Sequence, residues 1–123
     1  MALETPALAD RNLPELASRY VKTDEIPWEP MTQCTGVEMK VLVQDKDTGL
    51  FTGLFKLAPG AVIPDHVHNE IEQTYILEGE FEDDDGVATA GDFIWRPAGN
   101  RHEARSPNGC LILGFFLKPN TFL

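Results

Sequence analysis

Downstream of residue 36 the chain reads as short apolar–polar alternations, each closed by a cluster of Gly, Pro, Asn or Asp. Residues 37–43 alternate at first and end in a turn over 44–49. Residues 50–57 place Phe51, Gly53, Phe55 and Leu57 on one face and Thr52, Leu54 and Lys56 on the other. Lys56 favours water, so Phe51 and Phe55 are expected inside. Ala58-Pro59-Gly60 is a turn. Residues 72–77 alternate again, with Glu72, Thr74 and Ile76 sharing a face. Residues 86–88 and 92–96 are two further short strands. Residues 109–118 are apolar on both faces, so this strand is expected to be central and covered on both sides. Strands of this length between such turns predict an all-β sandwich or barrel.

Upstream, residues 1–19 read as a short N-terminal arm, and 20–123 as the single domain that it joins. Pro6 and Pro14 interrupt the arm, leaving room for one helical turn over 14–18. Residues 20–23 carry strand character. Ile26-Pro27-Trp28-Glu29-Pro30 excludes helix interior, because each proline removes a donor and restricts its predecessor. Trp28 is then expected to pack on the domain or on a second subunit.

Length and charge narrow the function classes. At 123 residues and 13.7 kDa the chain suffices for one core. No apolar run is long enough to cross a bilayer, and the N-terminus lacks the basic start and apolar stretch of a secretory signal, so a cytoplasmic location is expected. Cys34 and Cys110 show neither metal spacing nor a disulfide framework and are expected to act as small buried hydrophobes. A net charge of −10 argues against nucleic-acid partners and anionic membranes. The acidic run 78–86 lacks the alternating ligands of a calcium loop and is expected to be a solvated hairpin tip.

The candidate chemistry lies in two stretches that hold all three histidines. The first, 60–79, contains His66 and His68 two apart, which places both imidazoles on one face of an extended strand. Glu72 follows at an even step. Two imidazoles and a carboxylate are a common ligand set for a divalent transition metal. The second stretch, 91–102, offers a strand, a Pro-x-Gly turn and His102. Glu70 shares the parity of Glu72 and is an alternative ligand or an outer partner, with a solvated loop position expected. Arg96 and Arg101 flank the turn and are expected at the surface; Tyr75 and Trp95 are expected to be packing residues.

The spacings G-x5-H-x-H-x3-E-x6-G and G-x5-P-x-G-x2-H resemble the two motifs of the cupin superfamily. The resemblance implies a double-stranded β-helix, a jelly-roll barrel. It also implies one divalent metal (iron, zinc, manganese or nickel) on His66, His68, Glu72 and His102. The series I-P-W-E-P, G-V-E-M-K-V-L, L-A-P-G, L-E-G-E-F, R-P-A-G and G-C-L-I-L is similar to one branch. That branch holds the cupin domain of ChrR-type anti-sigma factors and small cupins related to enzymes cleaving acetylacetone or dihydroxyacetophenone. Those anti-sigma proteins carry a separate zinc domain that binds the sigma factor. This chain has no cysteine–histidine set to build it, so anti-sigma activity is not implied. The acetylacetone-cleaving type uses three histidines without the glutamate, so its substrate does not transfer. The expected pocket is apolar, from Phe51, Phe55, Ile76 and one of Phe115 or Phe116, taken as Phe116. It suits a small organic molecule: a diketone, hydroxyketone or phenolic ketone for an oxygen-using enzyme, or an effector for a sensing module. A homodimer is expected.

Overall fold

A computed structural model describes residues 3–123, and nearly every element in it is a β-strand. Residues 1 and 2 of the expected arm lie outside the described residues. In chain order the strands are β1 (Leu3–Glu4), β2 (Glu29–Pro30), β3 (Val37–Asp45), β4 (Phe51–Leu57), β5 (Ala61–Val67) and β6 (Glu72–Asp83). They continue as β7 (Gly86–Thr89), β8 (Phe93–Arg96), β9 (Arg101–Ser106), β10 (Cys110–Phe116) and β11 (Thr121–Phe122). Two 3-10 turns, Pro6–Leu8 and Thr23–Glu25, are the helical pieces. The curled antiparallel sheet is the jelly-roll barrel that the motifs predict.

Two half-sheets share one strand. The first half of β6 pairs with β10 and β8, and β10 continues to β4 and β3. The second half of β6 pairs with β7 and β9, and β9 continues to β5 and β11. Between the halves the β6–β10 register slips by one residue at Leu77, a bulge that turns the strand. Gly79 follows at φ 76, where a Cβ would collide with the Gly109 carbonyl oxygen, so only glycine fits. The bulge also flips the inward parity: Thr74 and Ile76 are buried before it, Phe81 and Asp83 after it.

The core forms where the predicted inner faces meet. Val37, Phe55, Leu57, Ile76, Phe81, Ala104 and Ile112 are buried together. Phe51 stacks on Phe116 with ring centroids 4.7 Å apart, and Phe55 stands edge-on to both, at 5.9 and 5.8 Å. Strand β10 is central, between β4 and β6, as expected. Only its inner face is fully covered, since Leu111, Leu113 and Phe115 are half-buried outside.

Several local expectations need correction. Residues 20–23 form no strand. Backbone turn bonds Glu25 N–H to Lys22 O and Ile26 N–H to Thr23 O close them into a turn, and the Lys40 ammonium holds the Thr23 carbonyl at 2.8 Å. These local bonds override the β-branched propensity. Residues 14–18 make one hydrogen-bonded turn, Ala17 N–H to Pro14 O, and no helix. Trp28 packs on the domain, its ring 4.5 Å from Lys40 Nζ and 5.7 Å from Lys56 Nζ. Tyr75 and Trp95 are not packing residues. They stand 43% and 59% exposed on the outer face of β6 and β8, beside Phe93 at 56%. Cys34 and Cys110 are buried and free.

Candidate metal centre

Strand pairing, more than loop geometry, assembles the histidines. His66 and His102 are direct cross-strand partners in the β5–β9 pair. That register depends on a second bulge at Pro64–Asp65, where three steps on β5 oppose two on β9. Ile63 faces inward before the bulge, and His66 faces inward after it. Proline has no N–H to waste there, and its carbonyl oxygen accepts from His66 Nδ1 at 2.7 Å. His68 lies just past the strand end, held by His68 N–H to Asn100 O and Gly99 N–H to His68 O, at 2.8 and 2.7 Å. The Pro97–Gly99 turn therefore fixes both His68 and the start of β9.

The three rings close on one point. One ligand nitrogen from each of His66, His68 and His102 lies within 4.8 Å of the others. His66 is buried, His68 is 0% exposed, and the His102 side chain is nearly covered. Each Nδ1 has an oxygen neighbour. That of His66 donates to Pro64 O, that of His102 donates to Asp83 Oδ2 at 2.8 Å, and that of His68 lies 3.1 Å from Glu72 Oε2. The last contact is off the line of a hydrogen bond and is electrostatic. Carbonyl and carboxylate acceptors fix the Nδ1 protons of His66 and His102, which leaves their Nε2 atoms free to ligate; no hydrogen bond fixes the tautomer of His68. His68 Nε2 and His102 Nε2 face each other at 2.9 Å. Two ligands held about 2.1 Å from one metal at right angles are separated by about 3 Å, so the donor set fits a divalent cation.

The protonation states agree with that fit. Burial drives His68 down to about 3 and His102 to about 4, and both neighbouring imidazoles and the Arg96 charge assist at His68. Burial also lowers His66. All three are therefore neutral at pH 7, the form that ligates. Burial pushes Glu72 up to about 7 against the pull of Arg96. Burial would raise Asp83 as well, but hydrogen bonds from His102 and the Asp85 N–H, with the Arg96 charge, outweigh it and hold the carboxyl below its ordinary value.

The rings sit at the end of a small apolar cavity of about 220 Å3. Phe51, Phe55, Phe116 and Phe122 line it, and His66, Glu72 and His102 meet it at the polar end. Ile76 lies in the core and is not on the wall. A larger groove of about 750 Å3 lies between the arm and β3, but its walls offer no group of ligating side chains.

A family model for the ChrR cupin-like domain matches residues 16–119. The chain belongs to the ChrR cupin-like family. Among curated proteins none matches it. Solved structures share the fold. A protein described as an acetylacetone dioxygenase from Methylibium petroleiphilum aligns with a TM-score of 0.81 at 24% identity, covering 90% of this chain and 84% of the other. The acetylacetone dioxygenase from Acinetobacter johnsonii gives 0.77 at 21%, covering 91% and 82%. The complex of Rhodobacter sphaeroides SigE with the anti-sigma ChrR gives 0.64 at 23%, covering 76% of this chain and 49% of the other.

In this ChrR cupin-like domain the structure places the remaining expected residues as follows. Glu72 opens β6 and lies against His68, outside the cluster of three mutually close ligand nitrogens. Glu70 is half-buried in the connection before β6, where its own carboxylate accepts from the Ile71 N–H. Arg101 is exposed and paired with Asp65 at 2.6 Å. Arg96 is not at the surface. It is 6% exposed, 2.7 Å from Asp83 and 3.6 Å from Glu72, because β8 points it inward alongside Ile94. Asp83 is the residue that sequence reasoning missed. It lies within the acidic run as the last residue of β6, and Asp84 and Asp85 after it form the exposed turn. Its Oδ1 ties that turn through the Asp85 and Gly86 N–H groups while Oδ2 meets His102 and Arg96. Spacing from Glu72 gives the wrong parity, because the Leu77 bulge lies between them. The C-terminal strand was also missed. Phe122 pairs with His66 in register, and its ring centroid is 5.3 Å from the imidazole.

Proposed function

We propose that this protein is a metal-dependent enzyme of the dioxygenase-like type, acting on a small diketone, hydroxyketone or phenolic ketone. The observation that carries the reading is the convergence of three neutral histidines at the polar end of an apolar cavity, whose wall includes His66 and His102. His66, His68, Glu72 and His102 would hold one divalent transition metal. When bound, such a metal would supply Lewis-acid and redox chemistry to an oxygen-bearing substrate. The aromatic wall of Phe51, Phe55 and Phe116 orients a small, weakly polar molecule with its oxygen atoms toward the histidines, and the phenylalanines exclude water. The fold shared with two acetylacetone dioxygenases supports the class of chemistry, and the carboxylate at Glu72 argues against carrying over their substrate. Iron suits oxygen chemistry best within this donor set, which also accepts zinc, manganese or nickel.

The test is anaerobic loading with iron(II), followed by oxygen uptake over a panel of small β-diketones and hydroxyacetophenones. Uptake with a panel member, abolished in His102→Ala, is the expected result. No uptake with any member, together with zinc as the metal that co-purifies, overturns it. A second reading would then stand: a metal- or ligand-sensing module, favoured by the ChrR cupin-like family match.

We further propose that the protein works in the cytoplasm as a homodimer. No described helix is long and apolar enough to cross a membrane. The outer face of β6, β8 and β10 carries Tyr75, Phe93, Trp95, Leu113 and Phe115, on a chain with a net charge of −10. A neutral aromatic face is where two such acidic chains meet without repulsion. Light scattering of Trp95→Glu beside the parent chain tests it: the parent at twice 13.7 kDa and the variant at 13.7 kDa are expected. A parent that stays at 13.7 kDa at micromolar concentration refutes it.

A further inference from the structure

Residues 119–123 supply part of the wall of the apolar cavity and are tied down along their length. The Asn69 amide donates to Pro119 O at 2.8 Å and to Thr121 Oγ1 at 2.7 Å, so it brackets Asn120. Strand β11 pairs with β5 through Thr121 opposite Val67 and Phe122 opposite His66, and the Leu123 N–H donates to Asp65 O at 3.0 Å. Pro119 packs so closely on Gly49 that a Cβ there would collide with its ring. Thr121 and Leu123 are exposed. Asn120 and Phe122 alternate with them, half-buried, and both meet the cavity.

This segment gives the cavity a group that the rest of the wall lacks. His66, Glu72 and His102 stand at the metal end, and the phenylalanines offer no hydrogen-bond donor. Two amides remain, Gln33 and Asn120. Gln33 is exposed, and its side-chain oxygen accepts from the Thr32 hydroxyl at 3.3 Å. Asn120 lies beside His68, and its side chain makes no hydrogen bond to any other described residue. An amide carries one acceptor and two donors, so the contact with His68 leaves donors for a second partner. On the reading that a metal at the histidines faces a small organic ligand, we infer that Asn120 and Phe122 determine which ligand is taken: Asn120 donates to a ligand oxygen, and the Phe122 ring limits the bulk of the ligand's apolar part. The Phe122 ring centroid is 5.3 Å from that of His66, so it borders the place where such a ligand meets the histidines. A cavity of about 220 Å3 is smaller than the roughly 300–1,000 Å3 that accommodates a drug-sized molecule, so one ring on its wall decides what fits. A donor inside an apolar wall adds the other half of the selection, because it rejects molecules that leave it unpaired. The ligand class is therefore a short molecule with an accepting oxygen at one end and an apolar part that stops at Phe122.

Zinc serves as the probe metal, because it has no redox chemistry and leaves the ligand intact. The probe ligands are acetylacetone and benzoylacetone, which carry the same two oxygens and differ by a phenyl in place of a methyl. Calorimetric titration of the zinc-loaded chain, with zinc content measured before and after, gives both affinities. The parent is expected to prefer acetylacetone. Asn120→Ala is expected to weaken both probes roughly three- to tenfold and keep their order, as loss of one neutral hydrogen bond should. Phe122→Ala is expected to shift the ratio of affinities toward benzoylacetone by roughly tenfold or more, and Phe122→Leu, a milder cut, to move it the same way. Zinc affinity is expected to stay at the parent value in all three variants. Parent-like affinity for both probes in Asn120→Ala overturns its role as donor. A parent that prefers benzoylacetone, or an unshifted ratio in Phe122→Ala, overturns the limit set by the ring. Zinc loss in these variants assigns the segment to the metal and overturns the inference as well. A parent chain that keeps its zinc and binds neither diketone removes the substrate reading, and the inference with it.

Discussion

Replacing Phe55 by alanine tests the packing on which the cavity depends. Phe55 is 5% exposed and stands edge-on to both Phe51 and Phe116, at 5.9 and 5.8 Å. Truncating a buried phenylalanine costs about 3–5 kcal/mol, and each lost edge-to-face pair accounts for about 0.5–1.5 kcal/mol of that. Part of the ring already borders the cavity, so fewer atoms lose neighbours than in a solid core, and about 3 kcal/mol is the better expectation. At roughly 3–5 °C per kcal/mol for a domain of this length, the midpoint falls by about 9–15 °C. The assay is urea unfolding followed by thermal denaturation, on metal-free protein so that binding does not mask the loss. Metal affinity should not change, because the ring touches none of the three histidines' polar contacts. A loss below about 1 kcal/mol, or a fall in metal affinity matching the stability loss, would refute the separation of aromatic wall from metal site.

Metal-free protein should lose stability as the pH falls from about 6.5 toward 4. His68 and His102 have folded values near 3 and 4 against an ordinary 6.5, so the unfolded chain binds more protons in that window. Glu72, raised to about 7, acts oppositely: its contribution is complete below about 4.5 and fades as pH rises through 7. The histidines outnumber it, so the melting temperature should peak near 6.5, and a flat profile from 6.5 to 4 contradicts the buried neutral assignment. Glu70→Gln should leave metal affinity near that of the parent while Glu72→Gln weakens it roughly ten- to a hundredfold by titration. Equal losses would mean that the site extends into the connection before β6. Gly79→Ala combines a positive φ with a collision at a backbone carbonyl, and should cost well over 1 kcal/mol in urea unfolding; a neutral result would show that the strand bends elsewhere.

The fold was legible because two signals agreed. Alternation placed β3, β4, β7, β8 and β10 within a few residues of their observed ranges and found the first half of β6, and motif spacing named the barrel. The histidines were legible as a group from the motif spacing, although the pairing of His66 with His102 depends on the Pro64–Asp65 bulge. What failed was parity across bulges. Strict alternation from Glu72 puts even-numbered residues inside, which leaves Asp83 outside, and one extra residue at Leu77 reverses it. Arg96 was misjudged because a lone arginine defaults to the surface unless its buried partners are known. Tyr75 and Trp95 were misjudged in the other direction, since sequence cannot tell a covered sheet face from an open one.

The site's electrostatics follow from the bend in β6. Its first residue, Glu72, and its last, Asp83, both contact Arg96. Twelve residues in a straight strand would separate those ends by over 30 Å, a span no side chain bridges. The Leu77 bulge and Gly79 therefore bring the ends together, passing the strand from one half-sheet to the other and curling it around the cavity. The same slip that hides Asp83 from pattern reading delivers its carboxylate to His102. Strand β8 then lies across the start of β6, with Arg96 directly opposite Glu72, so one guanidinium reaches both ends of its neighbour. The barrel is thus closed at its polar end by charge as well as by strand pairing. Loosening either the bend or the arginine should therefore act first on His102, whose Nδ1 proton Asp83 holds.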